Sequence, residues 1–112
     1  AIAGLSMGGG HTITASTNYP GTFGYIGVFS SGIFNQSENM AEIQKKFLVL
    51  KESGVSKYWV ACGVDDFVME SNKRLLEVLK KTDFEHEYFE NEGGHTWANW
   101  REYLSLFAPM LF

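Results

Sequence analysis

At 112 residues, 45% hydrophobic and 15% aromatic, the chain is long enough for one compact domain and too short for two. Its net charge of −4 argues against nucleic acid as a ligand, and no apolar run approaches the roughly 20 residues that cross a bilayer. The single cysteine, Cys62, excludes an internal disulfide and a thiolate cluster for zinc.

The chain opens on a short apolar run, Ala1 to Leu5, that ends at a serine flanked by glycines. Met7 to about Asn18 reads as a glycine-rich helix, and Tyr19-Pro20-Gly21-Thr22 as a turn. Phe23 to Phe29 reads as a second strand, with Ser30-Ser31-Gly32 as its exit loop. From Asn39 the period changes: Met40, Ile43, Phe47 and Leu50 recur at three and four residues, marking one face of a helix that Gly54 is placed to stop.

Tyr58 to Gly63, which includes Cys62, is continuously apolar, as expected for a parallel strand buried on both faces. Val68, Leu75, Leu76 and Leu79 form another helical stripe, and Glu85 to Phe89 reads as an edge strand. Trp97, Trp100, Leu104, Phe107 and Leu111 repeat at three and four residues, giving a C-terminal helix with both tryptophans on its buried stripe. Core packing is therefore expected of Trp100, and either packing or substrate contact of Trp97. Strand and helix alternate throughout, which predicts an α/β fold with a parallel sheet.

Gly4-Leu5-Ser6-Met7-Gly8 has the form Gly-x-Ser-x-Gly, between a strand and a helix. That context suits a nucleophile elbow, in which Ser6 sits on a sharp strained turn and glycines on both sides avoid a collision. The backbone N–H of Met7 would face a developing oxyanion near the positive end of the helix. The alternative is a chance motif with Ser6 as a helix N-cap.

A serine hydroxyl needs a base. His11 falls inside the helix, five residues past Ser6, and His86 falls on a strand among glutamates, so surface roles are expected for both. His95 follows Gly93-Gly94 in a loop before the last helix, where an imidazole can reach over the C-terminal sheet edge. Its alternative is an unpartnered residue at a helix start. The orienting carboxylate would be Asp65 or Asp66, after the buried strand, and either could instead cap a helix. Glu87, Glu90 and Glu92 make the approach to His95 acidic or form a solvated face.

Ala3-Gly4-Leu5-Ser6-Met7-Gly8-Gly9, Cys62-Gly63-Val64-Asp65-Asp66-Phe67 and Gly93-Gly94-His95-Thr96-Trp97 with Trp100 together resemble the esterase D-like α/β-hydrolases. The likeness is closest to carbohydrate esterases of the feruloyl and acetylxylan type. The resemblance implies the C-terminal half of an α/β-hydrolase fold, about four mostly parallel strands with flanking helices. It selects Asp66 over Asp65, giving Ser6, Asp66 and His95 as catalytic residues, Met7 as an oxyanion donor and Trp97 as a possible substrate contact. It implies a serine carboxylic-ester hydrolase that works through an acyl-enzyme on esters of plant cell-wall carbohydrate, secreted or periplasmic, with no cofactor and no metal.

An acyltransferase or a thioesterase resembling S-formylglutathione hydrolase would use the same three residues. In the family the elbow lies mid-domain; here it lies at residue 6. The expectation is that residues 1–112 are a partial catalytic domain without its N-terminal half and with the second oxyanion donor elsewhere. The strand ending at Leu5 is then an open edge needing the other half or a second copy. Taken alone, such a half-domain is expected to be inactive.

Overall fold

In the computed structural model, which describes residues 1–34 and 39–111, strand and helix alternate as the pattern predicts. Strands β1 (Ile2–Leu5), β2 (Tyr25–Phe29), β3 (Lys57–Gly63) and β4 (Glu87–Asn91) lie side by side in sequence order. Every pairing is parallel. Helices α1 (Met7–Asn18), α2 (Met40–Glu52) and α3 (Met69–Lys81) provide the crossovers, and α4 (Trp97–Phe107) follows β4. A turn of 3-10 helix, Ala108–Leu111, extends α4.

The period-two alternation of β2 and β3 sorts their side chains between two cores. Ile26, Val28, Tyr58 and Val60 face one side, where Phe47 and Leu50 of α2 and Leu75, Val78 and Leu79 of α3 cover them. Phe29, Trp59 and Ala61 face the other, under Tyr103 and Phe107 of α4. Each of the larger side chains among them contributes roughly 1.5–3 kcal/mol by leaving water. Gly27 belongs to this second face. A Cβ there would lie 3.1 Å from the Phe107 ring, so the missing side chain makes room for the aromatic. Among the described residues, three helices thus cover one face and one helix the other.

Asn39 caps α2 by accepting from the Ala41 N–H at 2.9 Å. Beyond the helix, Gly54 takes a φ of 89°, the left-handed conformation that ends it. β2 begins at Tyr25 rather than Phe23, because the N–H groups of Ser56 and Lys57 bond the Gly24 carbonyl and bend the entry. β4 is an edge strand, as expected, but covers Glu87–Asn91 instead of Glu85–Phe89. His86 therefore precedes the strand, its Nδ1 paired with the Phe84 carbonyl at 2.7 Å.

The stripe expected on α4 is corrected. Its buried face is Asn99, Tyr103 and Phe107, while Trp97 is 69% and Leu104 57% exposed. Two polar residues occupy that face because the loop before the helix needs hydrogen-bond partners.

Candidate active site

Ser6 stands between β1 and α1 with φ 54° and ψ −122°, a region costly for any residue with a Cβ. Its N–H bonds the Phe29 carbonyl at 2.9 Å, extending the β1–β2 ladder, and its own carbonyl accepts from Gly9 at 3.0 Å. The backbone thus turns from strand to helix within one residue. A Cβ on Gly4 would fall on the Gly8 carbonyl, so the close approach of β1 to α1 demands glycine there. The same need was expected of Gly8. The structure moves it to Gly9, where a Cβ would strike Ser31, whereas a Cβ on Gly8 meets nothing within 4 Å.

Met7 is the first residue of α1, so its N–H has no intrahelical acceptor and sits at the positive helix end. Its side chain is exposed.

The exits of β3 and β4 are stitched together. Val64 N–H bonds the Asn91 carbonyl at 2.9 Å, and Asp65 N–H bonds that of Gly93 at 3.0 Å. Gly93 adopts φ 99°, and a Cβ there would lie 2.8 Å from Asn99. The bend delivers His95 over the sheet edge to Ser6, with Nε2 2.9 Å from Oγ. On the far side of the ring, Nδ1 lies 3.1 Å from both carboxylate oxygens of Asp66. A carboxylate only accepts, so the ring proton sits on Nδ1 and Nε2 accepts from the serine hydroxyl.

The Asp66 side chain is fully buried and that of His95 is 18% exposed. Asp66 Oδ1 also accepts from the Val68 N–H at 3.0 Å, so the residue caps the entry to α3 while holding the imidazole. Asp65 is exposed. Such a row can take a proton from the serine hydroxyl, hold it on the imidazole, and stabilise the imidazolium with a buried carboxylate.

His11 is exposed on α1. Of the three glutamates near the approach, Glu87 pairs with Lys57 at 2.6 Å and Glu90 accepts from Tyr88 at 2.8 Å. Glu92 is exposed. Trp100 packs against the cluster of Phe29, Trp59 and Tyr103, as expected, and adds a contact to the site. The ring is half-buried and stands perpendicular to His95, with centroids 5.1 Å apart. Trp97 packs on Trp100 at 5.1 Å and is otherwise open to solvent. Cys62 is buried, as expected.

Two contributors escaped the sequence reading. Phe67, 78% exposed, lays its ring 4.5 Å from the imidazole. Asn99 accepts from Thr96 at 2.7 Å and donates to Asn91 and the Glu92 carbonyl at 3.1 Å, fastening the loop that carries His95. Helical periodicity hides it, since a polar residue on an apolar face reads as an interruption. Beside the elbow, Leu5, Phe29, Trp97, Trp100 and Leu104 line an apolar hollow of about 240 Å³. Among the described residues no group of acidic, histidine or cysteine side chains could hold a metal ion. No helix there is long and apolar enough to cross a membrane.

Residues 1–109 match the model of the Esterase family, described as “Putative esterase”. An acetyl esterase of Caldicellulosiruptor saccharolyticus is 36% identical over 55 residues, which are 49% of this chain and 21% of that protein. An endo-1,4-beta-xylanase/feruloyl esterase of Xylanibacter ruminicola is 34% identical over 114 residues, covering 100% of this chain and 14% of that protein. Among solved structures, a ferulic acid esterase superposes with a TM-score of 0.81 at 22% identity, covering 99% of this chain and 50% of the other. The fold is that of the esterase α/β-hydrolases, and the chain spans half the length of that structure and far less of the two curated relatives.

Proposed function

The chain belongs to the Esterase family, and from that premise we propose that it carries the nucleophile, base and acid of a serine carboxylic-ester hydrolase. The observation that carries the proposal is the unbroken row Ser6 Oγ, His95 Nε2, His95 Nδ1 and Asp66. In the proposed reaction His95 takes the Ser6 proton as Oγ attacks the ester carbonyl carbon, and the Met7 N–H faces the oxyanion. The C–O bond to the alcohol breaks, and the alcohol leaves with the proton held on His95. Water, deprotonated by His95, then attacks the acyl-enzyme and restores Ser6, releasing the acid. Asp66 keeps the imidazole in the productive tautomer and stabilises its cation.

The substrate class proposed is an acetyl or feruloyl ester on plant cell-wall carbohydrate. It is supported by the names of the relatives, an acetyl esterase and a xylanase/feruloyl esterase, and by the exposed aromatic faces of Trp97 and Phe67 beside Ser6 and His95. With that substrate class goes a proposed secreted or periplasmic setting, since cell-wall polymers lie outside the cell that degrades them. β1 is an edge of the described sheet. Its open hydrogen-bonding groups support pairing with further chain or a second copy.

The test is labelling with a fluorophosphonate alongside hydrolysis of p-nitrophenyl acetate and methyl ferulate. With the chain or second copy that pairs with β1 in place, wild-type protein should label at Ser6, and Ser6→Ala should lose labelling and turnover while keeping its circular dichroism. Turnover that survives Ser6→Ala overturns the assignment.

A further inference from the structure

The exit loop of β2 reads in the sequence as a plain turn, yet Ser30 and Ser31 are both 0% exposed. A buried hydroxyl without a partner costs about 1–3 kcal/mol, so two in succession demand an account of their bonds. They point to opposite halves of the site. Ser31 Oγ donates to the backbone carbonyl of Ser6 at 2.6 Å. Ser30 Oγ accepts from the indole N–H of Trp100 at 3.1 Å, and that indole stands edge-on to His95.

We propose that Ser30 and Ser31 are positioning residues that jointly set the Ser6–His95 geometry, Ser31 by locking the elbow carbonyl and Ser30 by locking Trp100 beside the imidazole. The proposal rests on the reading of Ser6 as nucleophile and His95 as base.

Four further features make this loop a rigid spacer. Ser30 has φ 47°, a left-handed conformation that costs a serine on the order of 1 kcal/mol or more and persists only where the surroundings enforce it. Its N–H bonds the Ala61 carbonyl at 2.8 Å, so the strained residue is still tied to the sheet. Gly32 lies against the Ser71 carbonyl with no room for a Cβ. Beyond it, Ile33 is held from both sides: its N–H bonds the Ser71 carbonyl at 3.1 Å, and its carbonyl accepts from Arg74 Nε at 2.8 Å. The loop is therefore fixed to α3 while its two hydroxyls reach across to the nucleophile and the base.

The Ser6 carbonyl already accepts from Gly9 and Gly10, so α1 starts without Ser31. The added bond constrains the peptide plane after the strained Ser6, and with it the direction of Oγ. A misplacement of about 1 Å at reacting atoms can cost up to a hundredfold in rate.

The experiment measures kcat, KM and fluorophosphonate labelling rate in the intact protein for Ser31→Ala, Ser30→Ala, Trp100→Phe, the Ser30→Ala/Trp100→Phe double variant, and two references. Ser6→Ala reports on the nucleophile assignment. Thr82→Ala removes a buried hydroxyl bonded to Val78 at 2.8 Å, far from the site, and should lower the melting temperature without touching the rate. Ser31→Ala and Ser30→Ala should each lower kcat and labelling about tenfold with KM unchanged. The losses in the double variant should be clearly less than additive, because both single changes remove the shared Ser30–Trp100 bond.

Wild-type kcat in Ser30→Ala and Ser31→Ala, with Ser6→Ala inactive, would overturn the proposal and leave the nucleophile assignment standing. Full additivity in the Ser30–Trp100 cycle overturns the Ser30 arm even if Ser31→Ala does not fold. Turnover in Ser6→Ala removes the reading itself, and the proposal with it.

Discussion

Ser6 and His95, 89 residues apart in the chain, meet at 2.9 Å between Oγ and Nε2. The contact depends on two loops at the same sheet edge, one leaving β1 and one leaving β4, which lie at opposite sides of the described sheet. The span is bridged from above by the Gly93–His95 bend rather than by adjacent strands.

Asp66→Asn should lower kcat by on the order of a thousandfold or more. The amide can donate toward Nδ1 and so favours the wrong tautomer of His95. Asparagine keeps an oxygen for the Val68 N–H, so the melting temperature should change little. Asp65→Asn, at an exposed position, should leave kcat unchanged. Equal losses in the two variants would refute the division of roles.

The glycines of the elbow should separate in a stability measurement. Gly4→Ala and Gly9→Ala force a Cβ into the Gly8 carbonyl and into Ser31, and each should cost about 1–3 kcal/mol or more. Gly8→Ala places a methyl in open space within a helix and should gain up to about 1 kcal/mol. Urea midpoints of the three variants check the order.

Buried Cys62 makes the folded state sensitive to alkali. Burial first, then the nearby charges of Asp66 and Glu90, push its thiol from an ordinary 9.0 up to about 12. A raised folded pKa means the unfolded chain sheds this proton first. Stability from this group is intact below about pH 9 and is lost as pH climbs toward 12. Tyr58, Tyr88 and Tyr103 are raised in the same direction, chiefly by burial. Urea midpoints should therefore fall through that interval, and a thiol reagent at pH 8 should modify Cys62 only once the protein unfolds.

Much of this was readable from residue order, and the exceptions share a cause. α2 and α3 announce themselves because Phe47, Leu50, Leu75 and Leu79 are both apolar and buried. α4 misleads because its most conspicuous residues, Trp97 and Leu104, are exposed while Asn99 is buried. Hydrophobicity locates a face only when the partner layer is apolar, and here α4 also carries the polar anchor of the His95 loop. Ser6 and His95 stand out through flanking glycines and their order at strand ends, which leave Asp65 and Asp66 as equal candidates until the family resemblance selects Asp66. Ser30 and Ser31 do not, because small polar residues after a strand look like any solvent-facing turn until the fold closes over them.

The uneven covering of the sheet has a dynamic consequence. Ser6 and Asp66 lead into helices of the three-helix layer, whereas His95 hangs on the single helix of the opposite face. Partial opening of a protein follows its cooperative units rather than its catalytic groupings. When α4 loosens, His95 departs while Ser6 and Asp66 stay in register. Amide exchange should show α4 protons opening at lower free energy than those of α3, with the proposed esterase activity vanishing under mild denaturant before the sheet is lost.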